Sequence, residues 1–358
     1  MAWPLHGSNP YYVYEHMCLT MPDTVVDFSV NLNPFGPPES LKQHWDGWFD
    51  KITDYPDPDG RQLKKQIAET AQISESAILL GNGGAELISL LAQFFQRKRI
   101  LIIDPSFSEY ERMCQTYNCQ ISHFTLREND WKLPLDEMNK QIKENDVLFL
   151  CHPNNPTGIS YTIEELLKIA TLCKKNDCYL VIDEAFYDFL LDPKTIVGFL
   201  RDFSNVIILR SLTKMYAIAG LRLGYMLAAP SLIERFRRYQ VHWNVNALAI
   251  AAGIKCLQTT DYVQRTQEFI GEERGRLFSV LRKNGYQMSN SDVNFYLLRD
   301  PQLDEQLPLF RFLLERGLVP RHTANYRGLN GRWLRFSIKQ AEQNDRLMEE
   351  LIKWKSTD

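Results

Sequence analysis

The chain reads as an α/β protein: a mostly parallel central sheet in a large domain, followed by a small α+β domain. Three observations carry this expectation. Between residues 61 and 230, short apolar β runs alternate with amphipathic helical stretches, the pattern of a parallel sheet covered on both faces. Polar residues gather at the C-terminal ends of those runs, where open α/β sheets bind ligands. Beyond residue 230 the alternation gives way to helices and then to scattered strands.

The elements follow in order. The first sixty residues, rich in Pro, Asn, Asp and aromatics (NPYYVYEH, NLNPFGPP, DYPDPDG), read as an irregular arm with turns. From Arg61, Leu63, Ile67 and Ala71 recur at helical spacing. ILLGNGGAELISLLAQFF gives a strand, a Gly-rich turn and an apolar helix. RILIID is a β run, ERMCQTYN is helical, and QISHFTL alternates as a strand. DVLFLCHPNNPTG is a buried strand ending in a polar turn. TIEELLKIATLCKKN is an amphipathic helix opened by Thr162 with Glu165 three residues on, a capping box. CYLVIDEAF, NVIILRS and LGYMLAA are three more strands. SLIERFRRYQ and ALAIAAGIKCL are helical, VNFYLL, GLVPRH and RWLRFSI are strands, and NDRLMEELIKWK is a closing helix. The expected division is an arm and part of the small domain over 1–55, a large ligand-binding domain over 56–230, and a helical connection with the small domain over 231–358.

Composition bounds the function. With 44% hydrophobic and 24% charged residues in 358, the chain is ordinary globular protein, long enough to bury a core without staples. A formal net charge of −3 offers no field for nucleic acid or an anionic membrane, so an anionic ligand has to be held by local features. The seven cysteines form no CxxC pair and no zinc-like spacing with histidine, and read as reduced thiols of a cytoplasmic protein without a metal site. MAWPLHGSNPYY is not a signal peptide, and no apolar run approaches the ~20 residues of a membrane span.

Several residues could carry chemistry. Lys214, in SLTKMYAIAGLRLGY just after an apolar strand, is either a solvated surface lysine or a desolvated amine able to form a Schiff base. Asp183 ends CYLVID and is either a cap or the partner of a buried cation. Asn155 in PNNPTG is turn chemistry or an amide aimed at a ligand oxygen. Gly83, Gly84 and Ala85 form a strand-to-helix turn whose N–H groups can cradle phosphate, and Ser211 and Arg222 could add a hydroxyl and a forked cation. Phe107 is a core aromatic or a ring stacked on a flat ligand.

Taken together and in this order, PNNPTG, DEAF and SLTKMYAIAGLRLGY resemble the fold type I enzymes that use pyridoxal 5′-phosphate (the aspartate aminotransferase fold), in the branch of histidinol-phosphate aminotransferase and threonine-phosphate decarboxylase. The resemblance covers nearly the whole chain. It implies that Lys214 carries the cofactor as an imine, Asp183 pairs with its pyridine nitrogen, Asn155 bonds its ring oxygen and Phe107 stacks on the ring. Gly83, Gly84, Ala85, Ser211 and Arg222 would hold the phosphate. Tyr55, in DYPDPDG, would reach the phosphate in the neighbouring subunit, which implies a homodimer. Arg335, in RWLRFSI, would bind the substrate carboxylate, or stand as a strand-edge charge.

Two features tilt the expectation within the branch. HGSN (His6 to Asn9) and DFSVNLNP resemble the HGGN and DFSxNxNP elements of threonine-phosphate decarboxylases, with Ser8 in place of a glycine. They imply that His6 and Asn31 contact substrate. Arg321, in GLVPRH, is either a surface charge or the cation that receives a side-chain phosphate. Phe186 stands where many aminotransferases carry a tyrosine that donates to the ring oxygen. The expected activity is decarboxylation of a phosphorylated amino acid, L-threonine O-phosphate first, for a cobalamin-type cofactor. A histidinol-phosphate-type aminotransferase working with 2-oxoglutarate is the alternative.

Overall fold

The computed structural model describes residues 3–4, 7, 9–128 and 130–356. A two-residue strand β1 (Val26–Asp27) precedes the strands of the central sheet: β2 (Ile78–Gly81), β3 (Arg99–Asp104), β4 (Gln120–Thr125), β5 (Val147–Cys151), β6 (Tyr179–Asp183), β7 (Val206–Ser211) and β8 (Gly224–Ala228). A second group follows: β9 (Gln287–Met288), β10 (Phe295–Arg299), β11 (Leu318–Val319), β12 (Arg321–His322) and β13 (Leu334–Ser337).

The central sheet is seven-stranded, in the order β2-β8-β7-β6-β5-β3-β4. Only β8 is reversed, antiparallel to both β7 and β2. Strands β5 and β6 are buried almost end to end, because helices cover both faces and leave no side for polar residues. The helix Ile163–Lys175 shows how sequence sets such an element. Thr162 Oγ1 accepts from the Glu165 N–H at 3.2 Å while Glu165 Oε2 accepts from the Thr162 N–H at 2.8 Å, closing the capping box. Its inward face is Leu166, Ile169, Ala170 and Cys173.

The small sheet is antiparallel, in the order β12-β13-β10-β9. β1 pairs in parallel with β11, so the N-terminal segment is bound to the C-terminal part of the chain. Helices Leu307–Leu314 and Ala341–Ser356 accompany these strands.

The structure corrects the sequence reading in two places. The first sixty residues are not an irregular arm throughout: Pro10–His16 and Glu39–Trp45 are helices, and Asp46–Ile52 continues as 3₁₀ helix. Pro10 occupies a helix's first turn and Pro38 the N-cap, where the missing N–H costs nothing; proline density there starts helices. The second is a 24-residue helix, Thr260–Lys283, for which the sequence reading has no element. Its buried stripe includes Thr266 and Glu273 beside Ile270 and Leu277, and those polar members break the apolar periodicity. Among the described residues no helix is long and apolar enough to cross a membrane.

Candidate active site

Asp104, Cys151, Asp183 and Ser211 are the last residues of four strands of the central sheet, so the topology alone brings their neighbourhoods to one edge. Asp183 is buried. Its Oδ2 accepts from the Tyr110 phenol at 2.5 Å and its Oδ1 from the Ala185 N–H at 3.0 Å. Burial pushes the carboxyl pKa up, against the Tyr110 and Ala185 hydrogen bonds and the Lys214 ammonium. No lysine or arginine forms an ion pair with it among the described residues, so the site holds a buried acid suited to a cationic ligand atom.

Lys214 lies on the single helical turn Leu212–Met215, capped by Ser211, whose Oγ accepts from the Thr213 N–H at 3.3 Å. Its Nζ stands 6.0 Å from the centre of the Phe186 ring. Burial lowers its pKa to about 8, helped by the positive charges of Arg335 and Arg222 and opposed by Asp183. The amine is thus available for imine chemistry near neutral pH.

The helix Gly83–Phe94 begins directly after β2. Gly83 has φ +76°, and a Cβ there would sit 2.6 Å from Arg222 Nη2. Only glycine lets the guanidinium lie against the helix's first residue. A Cβ at Gly84 would meet nothing within 4 Å, so the space beyond the first turn is open. Free N–H groups, the helix dipole and Arg222 together make an anion cradle. Ala85 is exposed beside it, and Arg222 itself is held at φ 58° with Nη1 on the Ala219 carbonyl.

Asn155 Oδ1 accepts from Arg335 Nη1. That bond fixes the amide and leaves Nδ2 as the group turned to a ligand. Phe107 is half-buried, edge-on to Tyr110 at 5.9 Å. Phe186 is buried edge-on against Phe295 at 4.7 Å. Tyr187 lies under the Arg210 guanidinium, 3.9 Å from its ring.

Arg321 and Arg335 are direct cross-strand partners in the β12–β13 ladder, and both are buried. Burial brings Arg321 down to about 10 and lowers Arg335 as well. Arg335 Nη2 donates to the Ser29 carbonyl at 2.7 Å and Nη1 reaches the Tyr326 hydroxyl at 3.4 Å, while Nε is buried without a partner. Arg321 Nη2 donates to Asn325 Oδ1 at 2.9 Å. Asn31 is buried with its Oδ1 unpartnered. His6 lies outside the described residues. Tyr55 stands apart from this cluster, 81% exposed, its ring 4.7 Å from that of Trp243.

Tyr110, Ser29 and Tyr326 were not singled out by the sequence reading. Tyr110 had a signal, lying three residues after Phe107 at the start of a helix. The other two reach the site through backbone or long-range packing that no local pattern encodes.

The residues present fit pyridoxal phosphate. An unpaired buried acid suits a pyridinium nitrogen, an oriented amide suits a ring oxygen, a lysine of lowered pKa suits the aldehyde, and an open cationic helix N-terminus suits the phosphate. Comparison with known proteins agrees. The family model for aminotransferase class I and II matches residues 23–351. A threonine-phosphate decarboxylase of Salmonella typhimurium is 39% identical over 92% of this chain and 91% of its own. A histidinol-phosphate aminotransferase of Mannheimia succiniciproducens is 32% identical over 92% and 89%. The crystal structure of the histidinol-phosphate aminotransferase from Clostridium acetobutylicum superposes with a TM-score of 0.87 at 30% identity, covering 92% of this chain and 99% of that one. The buried acid, the lysine and the anion cradle therefore belong to a member of the class I and II aminotransferase family, a fold type I enzyme that depends on pyridoxal phosphate.

Proposed function

We propose that the chain decarboxylates L-threonine O-phosphate to (R)-1-amino-2-propanol O-phosphate and CO₂, a product suited to the nucleotide loop of a cobalamin-type cofactor. The observation that carries this reading is the buried Arg321–Arg335 cross-strand pair. Like charges directly opposite one another in a ladder repel. A substrate with two anionic groups, a carboxylate and a phosphate, neutralises both cations; a simple amino acid neutralises one. The relative from Salmonella typhimurium named threonine-phosphate decarboxylase and the phenyl ring of Phe186 support the same reading.

Pyridoxal phosphate, when bound, supplies an electron-poor ring that accepts the electron pair of a bond broken at Cα. The protein supplies the rest. Asp183 would face the ring nitrogen, its two oxygens oriented by the Tyr110 phenol and the Ala185 N–H. Asn155 Nδ2 would donate to the ring oxygen, and Phe107 would lie against the ring. Arg222, Ser211 and the Gly83–Ala85 turn would hold the cofactor phosphate. Arg335 takes the α-carboxylate, its Nε and Nη donors forming the fork that matches it. By fixing the carboxylate, Arg335 selects which bond at Cα cleaves. Arg321, with His6 and Asn31, takes the side-chain phosphate. Lys214 Nζ returns a proton to Cα once CO₂ has left. Two copies of the chain form the enzyme, and exposed Tyr55 reaches the partner's phosphate site.

Transamination of histidinol phosphate is the second reading, favoured by the Mannheimia succiniciproducens relative. The test compares L-threonine O-phosphate with L-threonine in the wild type and in Arg321→Met. One charge-assisted contact contributes ~1.5–3 kcal/mol, roughly 10–150-fold. The wild type is expected to prefer the phosphorylated substrate and the variant to lose that preference by about this factor. Equal turnover of both substrates by the wild type would sink the proposal.

A further inference from the structure

Two helices of the central domain end in the same motif, and both place two cysteines in it. The helix Glu109–Thr116 has Tyr117 as C-cap and Asn118 left-handed at φ 55°. The Cys119 N–H bonds the Cys114 carbonyl at 2.9 Å and the Asn118 N–H bonds the Gln115 carbonyl at 3.1 Å. The helix Ile163–Lys175 repeats this with Asn176 as C-cap, Asp177 at φ 51°, Cys178 N–H on the Cys173 carbonyl at 2.9 Å and Asp177 N–H on the Lys174 carbonyl at 3.4 Å. This paired bonding is the Schellman motif, which brings the side chains of its first and sixth residues together. Here those side chains are thiols, so the backbone sets the two sulfurs of each pair side by side.

The two pairs differ in access and polarity. Cys173 and Cys178 are both fully buried. In the other pair, Cys114 is fully buried and Cys119 is half-exposed. Cys119 Sγ donates to the Phe95 carbonyl at 3.4 Å as a thiol. The neighbouring Cys114 thiol, acting against burial, brings the Cys119 pKa down to about 7. The neighbouring Cys119 sulfur and burial push Cys114 up. A reachable thiolate with a protonated thiol behind it is the arrangement of a peroxide-reactive cysteine and its resolving partner.

We propose that Cys119 and Cys114 form a reversible oxidation site, which hydroperoxides convert to a disulfide at the C-terminus of the helix Glu109–Thr116. The Cys119 thiolate attacks the terminal peroxide oxygen; the S–O bond forms, the O–O bond breaks, and hydroxide leaves from hydrogen peroxide or alkoxide from an organic hydroperoxide. Cys119, oxidised by two electrons, is now a sulfenic acid. Cys114 sulfur then attacks Cys119 sulfur; the S–S bond forms, the S–O bond breaks, and the departing hydroxide takes the Cys114 proton as water. A cellular dithiol reverses the reaction. The Cys173–Cys178 pair, with the same backbone and no access, stays reduced.

The test treats the full-length, cofactor-loaded protein with one equivalent of hydrogen peroxide at pH 7. The protein is then denatured in a thiol-blocking alkylator and its tryptic peptides are weighed. The peptide running from Met113 to Arg127 holds both cysteines. It should lose two hydrogens, escape alkylation and regain both labels after dithiothreitol, so that two of the seven thiols disappear. Oxidation there should outpace that at exposed Cys18. Cys114→Ala should instead accumulate a dimedone-reactive sulfenic acid at Cys119, and Cys119→Ser should remove both products. The proposal is overturned if both cysteines of that peptide remain alkylatable, if Cys18 reacts first, or if Cys173 and Cys178 oxidise at the same rate.

Discussion

Lys214 carries the clearest pH signature. Its pKa is lowered to about 8 by burial and by Arg335 and Arg222, so the amine is protonated below that pH and neutral above it. Binding of added pyridoxal phosphate to cofactor-free protein, followed by the visible imine band, should therefore accelerate as pH rises and reach half its plateau rate near pH 8. A midpoint near pH 10.4, the ordinary lysine value of about that size, would show that burial does not tune this amine. Lys214→Ala should give no imine band and lower kcat by about 10²–10⁴, the usual worth of a positioned proton-transfer group. Lys214, Asp183 and Asn155 were legible in sequence because each follows a strand within a short motif. The Arg321–Arg335 opposition was not, since register between strands fourteen residues apart is a property of the ladder. Nor was the Tyr110 phenol on Asp183, a contact between residues 73 apart.

At the scale of elements, the helix caps were the most readable features. Thr162 and Glu165 announced their capping box, and the structure contains it. Thr162→Ala should cost about 1 kcal/mol in urea unfolding. The irregular connections were unreadable, and one of them holds a clasp. Glu128, just after β4, accepts from Arg332 Nε at 3.0 Å, from Trp333 Nε1 at 2.6 Å and from Arg299 Nη1 at 3.2 Å. Burial pushes this carboxyl up, but the Arg332 and Trp333 hydrogen bonds and the nearby arginines outweigh it and hold it below its ordinary range. A carboxyl depressed by folding adds stability above its unfolded pKa of about 4.3 and loses it as pH falls through the folded value. Glu128→Gln should flatten the stability profile between about pH 5 and pH 3, measured as the urea midpoint against pH. An unchanged profile would mean that the clasp adds nothing to stability. The arm was misread because proline frequency was weighed without position: Pro10 and Pro38 open helices.

For the whole molecule, the alternation of strands and helices made the central sheet legible, and the reversed strand β8 was the part that alternation could not supply. Exposed aromatic surface marks where a second copy is expected. Phe49 is 70% exposed, Tyr55 81% and Trp243 48%, and the rings of Tyr55 and Trp243 lie 4.7 Å apart. Sedimentation should give a dimer, and Tyr55→Ala should weaken cofactor affinity without dissociating it; a monomer that retains full activity would contradict this. The central claim, that two buried arginines receive a carboxylate to be lost and a phosphate to be kept, is tested most directly by its products. Purified, cofactor-loaded protein is given L-threonine O-phosphate without any keto acid. The account predicts CO₂ and 1-amino-2-propanol O-phosphate in equal amounts. No CO₂, with glutamate formed only when histidinol phosphate and 2-oxoglutarate are supplied, would contradict it and make the chain an aminotransferase.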